Sequence, residues 1–131
     1  RRLAGTVFAK SCTLSTGQAF VRSASVHAVL GEIDGLRLCN RALLERGVGL
    51  KVSDASALSE GRQSKRLVTE DAITLVSRAV EVTGNPGLSQ DNPLERHYRD
   101  VLCGRVHTPQ ADAVLEQAGE RAFAAWRQSR A

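Results

Sequence analysis

Residues Asn92 to Gln110 read NPLERHYRDVLCGRVHTPQ, and the punctuation of this stretch decides how the chain on either side of it is expected to fold. Asn92 can accept a hydrogen bond from an orphan backbone N–H, Pro93 suits the first helical position because it has no N–H to lose, and Glu95 stands where a capping-box carboxylate reaches back. A helix is therefore expected to start at Pro93. Thr108 and Pro109 repeat the signal, which predicts a second start at Pro109 and places His107 at the seam between two helices. Side chains at such seams often face a pocket.

Working outward, apolar residues fall at Val26, Val29, Leu30, Ile33, Leu36, Leu43 and Leu44, the stripe of an amphipathic helix with Arg37, Arg41 and Glu45 on its other face. Gly47-Val48-Gly49 stops it. Ser53 can cap a second helix that carries Leu58, Leu67, Val68, Ile73, Leu75, Val76 and Val80 until Gly84 ends it. Helices are thus expected near Val26 to Arg46 and Ser53 to Thr83. The helix from Pro93 turns Leu94, Tyr98, Val101, Leu102 and Val106 inward, and the one from Pro109 turns Val114, Leu115, Ala118, Ala122, Phe123 and Trp126. Short connections between four such helices predict an all-α, up-and-down four-helix bundle. It spans residues 23–131, and residues 1–22 read as an irregular segment, either a loop or the remnant of a first bundle helix.

Composition narrows the function. The 131 residues are 42% apolar with net charge +4, enough for one domain and one core. Basic residues are interleaved with acids along the chain, which excludes a nucleic-acid tail, and no apolar run approaches the roughly 20 residues that cross a bilayer. Cys12, Cys39 and Cys103 share no ligand-like spacing, so neither a disulfide framework nor a zinc site is indicated. A reducing, cytoplasmic setting is expected. The chain begins at Arg1 and has no methionine, which reads as a fragment or a processed product.

Read without gaps, GNPGLSQDNPLERHYRD (Gly84 to Asp100) resembles the segment of acyl-CoA dehydrogenases that runs GGxGY, a short spacer, then PxERxYRD. SVHAVLGEIDGLRLCNRALL (Ser25 to Leu44) is similar to the second bundle helix of the carboxy-terminal domain in that superfamily, and the likeness covers roughly Ala24 to Phe123. Where the dehydrogenases continue to Glu-Gly-Thr, this chain has Thr108-Pro109-Gln110. Its RVHTP is instead similar to the ending of the flavin-dependent monooxygenase branch, typified by dibenzothiophene monooxygenase. The resemblance implies FAD or FMN in a complete enzyme, a small-molecule or acyl-CoA substrate, and self-association as a dimer or tetramer. It implies neither nucleic acid nor membrane as a partner.

By that resemblance His107 is the catalytic candidate, a proton or hydrogen-bond donor at the flavin and substrate. Its alternative role is to satisfy the open end of the third helix. Gly84 and Gly87 correspond to glycines that let backbone approach the adenylate half of a flavin in an adjacent subunit; as plain structure, they end a helix and form a turn at positive φ. Arg99, with Arg96 and Asp100, can meet a cofactor phosphate or form ion pairs that lock neighbouring helices or subunits. Asn85 replaces the middle family glycine, Glu81 stands where many members carry a cofactor-binding Gln, and no Arg-x-x-Phe-Gly flavin contact is present. This chain alone is therefore expected to bind no flavin tightly and to have no turnover. A non-catalytic helical oligomerisation module is the alternative. His27 and His97 read as solvated helix residues, Phe123 and Trp126 as core or interface, and Arg62, Lys65 and Arg66 as a solvated face.

Overall fold

A computed structural model describes residues 23–50 and 53–130; the irregular segment expected over residues 1–22, with Cys12, lies outside them. Four α-helices follow in order: α1 (Ala24–Val48), α2 (Ala55–Thr83), α3 (Pro93–Leu102) and α4 (Ala111–Gln128). Short 3-10 turns occupy Asn85–Leu88 and Cys103–Arg105. No strand occurs among the described residues. Among the described residues no helix is long and apolar enough to cross a membrane.

The helix ends follow the expected chemistry with two shifts, at the starts of α2 and α4. Ser23 Oγ accepts from Val26 N at 3.3 Å and starts α1. Asp54, one residue beyond Ser53, caps α2 by accepting from Ser56 N at 2.9 Å; either residue type serves, and the carboxylate is the stronger acceptor for an orphan N–H. Gly84 ends α2 at φ +66° and ψ −153°, and its N–H bonds to Val80 O at 2.8 Å. A side chain there is strained, so the glycine is required by conformation.

Helix α2 is the axis on which the others rest. Ion pairs Arg46–Glu60 and Arg78–Glu32 join α1 to α2 at opposite ends, so the two run antiparallel. Helix α3 returns along the second half of α2, because Gly87 sits against Thr83 at one end and Gly104 against Thr69 at the other. Helix α4 meets α2 near Arg62, whose Nη1 donates to Gln117 Oε1 at 2.8 Å.

The apolar core is thin, one residue from each helix. Val26, Ile73, Leu94 and Val114 are buried. Leu44, Val106, Leu115, Phe123 and Trp126, expected inside, are 50–71% exposed, and from Gly119 to Arg130 every residue of α4 is exposed. The helical periodicity was sound; what differs is that α4 leaves α2 after its second turn, so its stripe has nothing to bury against.

Candidate functional site

The family-like glycines and the histidine lie at two places along α2. At the first, the turn after α2 is tied by its own backbone and by one asparagine. Gly87 N donates to Gly84 O at 2.8 Å, and Asn92 Nδ2 donates to Pro86 O at 3.0 Å. Asn92 Oδ1 accepts from Leu94 N at 3.0 Å, which makes it the cap expected for α3. Asn92 N donates to Ser89 O at 2.9 Å, and Glu95 pairs with Arg99 at 3.3 Å.

Gly87 needs no positive φ; among the described residues only Gly84 adopts one. Gly87 is glycine because it is buried and a Cβ would meet Thr83 Cβ at 3.0 Å and Leu94 Cδ2 at 3.3 Å. Its neighbours Gly84, Asn85 and Pro86 are exposed and present their backbone to solvent.

Arg99 is exposed and pairs with Glu95, while Arg96 pairs with Asp100 at 3.7 Å. Both pairs lie within α3. This corrects the expectation that they tie neighbouring helices, because four-residue spacing offers each arginine a carboxylate on its own helix. Glu81, where the resemblance leads one to expect a cofactor-binding Gln, accepts from Arg78 Nη1 at 2.7 Å. The Arg78 guanidinium is pushed above its ordinary value by that bond and by the charge of Glu32, so Glu81 is locally neutralised.

At the second place, α3 ends at Leu102 and the turn Cys103–Arg105 presses on α2. A Cβ on Gly104 would lie 2.7 Å from Thr69 Cγ2, and Thr69 Oγ1 is fixed by donating to Lys65 O at 2.8 Å. Lys65 Nζ then donates to two carbonyls of the link, His107 O at 2.7 Å and Pro109 O at 3.0 Å. With Pro109 so held, α4 begins only at Ala111, and its cap residue Gln110 makes no side-chain cap bond. The start expected at Pro109 therefore moves two residues on.

His107 is exposed, and its imidazole makes no hydrogen bond among the described residues. A cleft of about 660 Å³ lies beside it between α2 and the link, with Arg66, Glu70, Arg105 and Asp112 supplying charge. His107 is not among its walls. A second, more apolar groove of about 600 Å³ opens between the end of α1 and the start of α2, walled by Leu43, Leu44, Leu50, Leu58 and Val68. Lys65 and Pro109 border both. No cluster of His, Cys, Asp and Glu suited to a metal occurs among the described residues, and Cys39 and Cys103 are free and exposed.

The basic patch is thus not a solvated face. Arg62 and Lys65 clamp α4 and the link, and Arg66 pairs with Glu70 at 2.6 Å. Local sequence carries no signal for the Lys65 bonds, since their partners stand more than forty residues away. Residues 84 and 87 are not brought together with His107. The Gly84 turn follows Thr83 whereas the link is held at Lys65, a separation of roughly 27 Å at 1.5 Å per helical residue.

The family model for the acyl-CoA dehydrogenase C-terminal domain matches residues 24–112. The acyl-CoA dehydrogenase-like protein YdbM of Bacillus subtilis is 38% identical over 65 residues, covering 50% of this chain and 17% of YdbM. The matched family region takes in α1 to α3 and the His107 link, and ends as α4 begins.

Proposed function

The chain belongs to the acyl-CoA dehydrogenase C-terminal domain family, and on that premise we propose that it serves as the carboxy-terminal helical domain of a flavin-dependent oxidoreductase. The described residues do not by themselves fit a flavin. They form no enclosed cradle, Gly87 is filled by its own neighbours, and Arg99 is engaged by Glu95. FAD or FMN is therefore held mainly by parts of the enzyme beyond these helices, and this chain alone retains none tightly.

What the chain supplies is two edges. The exposed Gly84-Asn85-Pro86 backbone faces the cofactor of an adjoining copy, and His107 faces the substrate of its own site. The observation that carries this division is their separation along α2, too great for both to meet one reacting centre. His107 is exposed and its imidazole has no hydrogen-bond partner among the described residues, so it can donate a hydrogen bond to a substrate oxygen. That leans toward oxygen-using monooxygenation over α,β-dehydrogenation of an acyl-CoA.

Replacing His107 with Ala in the enzyme that carries this chain should lower turnover by about 10² or more while leaving folding intact. A melted bundle with normal turnover in the folded remainder sinks the catalytic role. Substrate-dependent oxygen uptake with oxygen incorporated into product supports the monooxygenase reading; transfer to a dye acceptor with a new carbon–carbon double bond supports the dehydrogenase instead. Flavin retained stoichiometrically by this chain through gel filtration sinks the division of labour.

Self-association is the second part of the reading. Leu115, Phe123 and Trp126 stand on an uncovered face of α4, and water penalises such area in proportion to its size. A dimer or tetramer in which copies complete each other's four-helix bundles covers it. If catalysis fails, the same face supports a non-catalytic oligomerisation module. Light scattering that finds a monomer across a wide concentration range counts against both.

A further inference from the structure

We propose that Lys65 is a positioning residue for His107, acting through the backbone of the link between α3 and α4; the proposal rests on the functional reading of His107 above. The imidazole has no hydrogen bond of its own among the described residues, so its direction is set by the peptide that bears it. That peptide is held on both sides of Thr108 by one ammonium, at 2.7 Å from His107 O and 3.0 Å from Pro109 O. Charged donors make short, strong bonds to carbonyls. A compact ammonium with three donors can serve two carbonyls two residues apart, which a planar guanidinium does less well.

The lysine is itself placed by its surroundings. Thr69 Oγ1 bonds to Lys65 O, and the same threonine abuts Gly104, where the turn approaches α2 as closely as glycine allows. Arg66, the next residue, has a carboxylate partner in Glu70, whereas Lys65 donates to the two link carbonyls. The ammonium is therefore free to act as the clasp of the link. Releasing it lets the His107 Cα–Cβ direction wander, and misplacement of a catalytic group by about 1 Å can cost 10²-fold.

Two readouts in the enzyme that carries this chain test the idea. Lys65→Met removes both bonds and keeps the stem. Amide hydrogen exchange at Val106, whose N–H donates to Cys103 O at 3.2 Å, should quicken by about tenfold or more, with α1 and the middle of α2 unchanged; unchanged exchange at Val106 overturns the proposal. With octanoyl-CoA and dibenzothiophene as the two probes, kcat on the one that the unaltered enzyme turns over should fall by about 10- to 10²-fold while KM moves by less than about threefold. The inflection of the pH–rate profile should stay where the unaltered enzyme has it, and Lys65→Arg should recover part of the loss. A moved inflection means that Lys65 exchanges the proton itself and overturns a positioning role. Should Lys65→Met misfold, Lys65→Gln carries the same expectations with one neutral donor. His107→Ala separates the failures: if it leaves turnover intact, the functional reading falls; if it lowers turnover while Lys65→Met does not, only the role of Lys65 falls.

Discussion

At the carboxyl end of α2 the chain is closed by apolar contact, with Gly87 buried against Thr83 and Leu94 only 5% exposed, whereas toward its amino end the link and α4 are held by polar bonds from Arg62 and Lys65. Two of the four buried apolar residues, Val26 and Leu94, belong to the first region by the antiparallel pairing of α1 with α2, and Ile73 stands between the two regions, on a wall of the cleft beside the link. The second keeps one, Val114, and leaves two grooves open. Packing excludes water and fixes geometry over its whole area; a few directional bonds fix only the atoms they join. The contrast explains why the glycine turn is a rigid element while the histidine stands on a segment that a single side chain can release.

The sharpest way to break the comparison is to empty the closed end. Leu94→Ala should cost about 2–4 kcal/mol of stability, against less than about 0.5 for Leu115→Ala at the open end, where the side chain is half exposed. Urea denaturation followed by circular dichroism measures both, and equal losses would remove the distinction.

Overfilling the same place is the next test. Gly87→Ala sets a methyl 3.0 Å from Thr83 Cβ and should cost about 1–3 kcal/mol. A neutral result in the same denaturation series means that Thr83 and Leu94 yield easily and the closed end is looser than its burial implies.

The helix caps sharpen the contrast at smaller scale. Asn92→Ala removes the bond to Leu94 N and should cost about 1 kcal/mol. Gln110→Ala, at a cap that makes no side-chain bond, should change stability by less than about 0.5 kcal/mol.

The smallest effect concerns acid. Arg46 holds the Glu60 carboxyl below its ordinary value of 4.5, chiefly through their hydrogen bond. A carboxyl depressed in the folded state contributes stability that is present above its unfolded value and lost as pH falls through the folded one. The unfolding midpoint should therefore decline slightly as pH drops below about 4.5, and Glu60→Gln should flatten that decline. Identical slopes in the two proteins dismiss the pair as a contributor.

Much of the helical layout is legible residue by residue. Asn92 before Pro93 and Gly84 after the second stripe are local signals, because a cap needs only its own residue and the neighbouring turn's backbone groups. Less of the candidate site is legible. Gly87 reads as a turn glycine, yet its requirement comes from Thr83 and Leu94 pressing from two helices. Lys65 reads as part of a solvated basic face because its partners are carbonyls, which every residue possesses and no pattern advertises. Phe123 and Trp126 read as interior by periodicity, yet they stack on each other at 5.7 Å in the open, with Arg127 and Arg130 over their rings.

Periodicity and capping chemistry thus determined that this chain is helical and where most of its helices begin and end, since each of these depends on residues a few positions apart. Which stripes are covered, how far the glycine turn lies from His107, and what holds the histidine link were decided only when distant segments met on α2. Burial and long-range hydrogen bonds are properties of pairs separated along the chain, and such pairs come into being only with the tertiary structure.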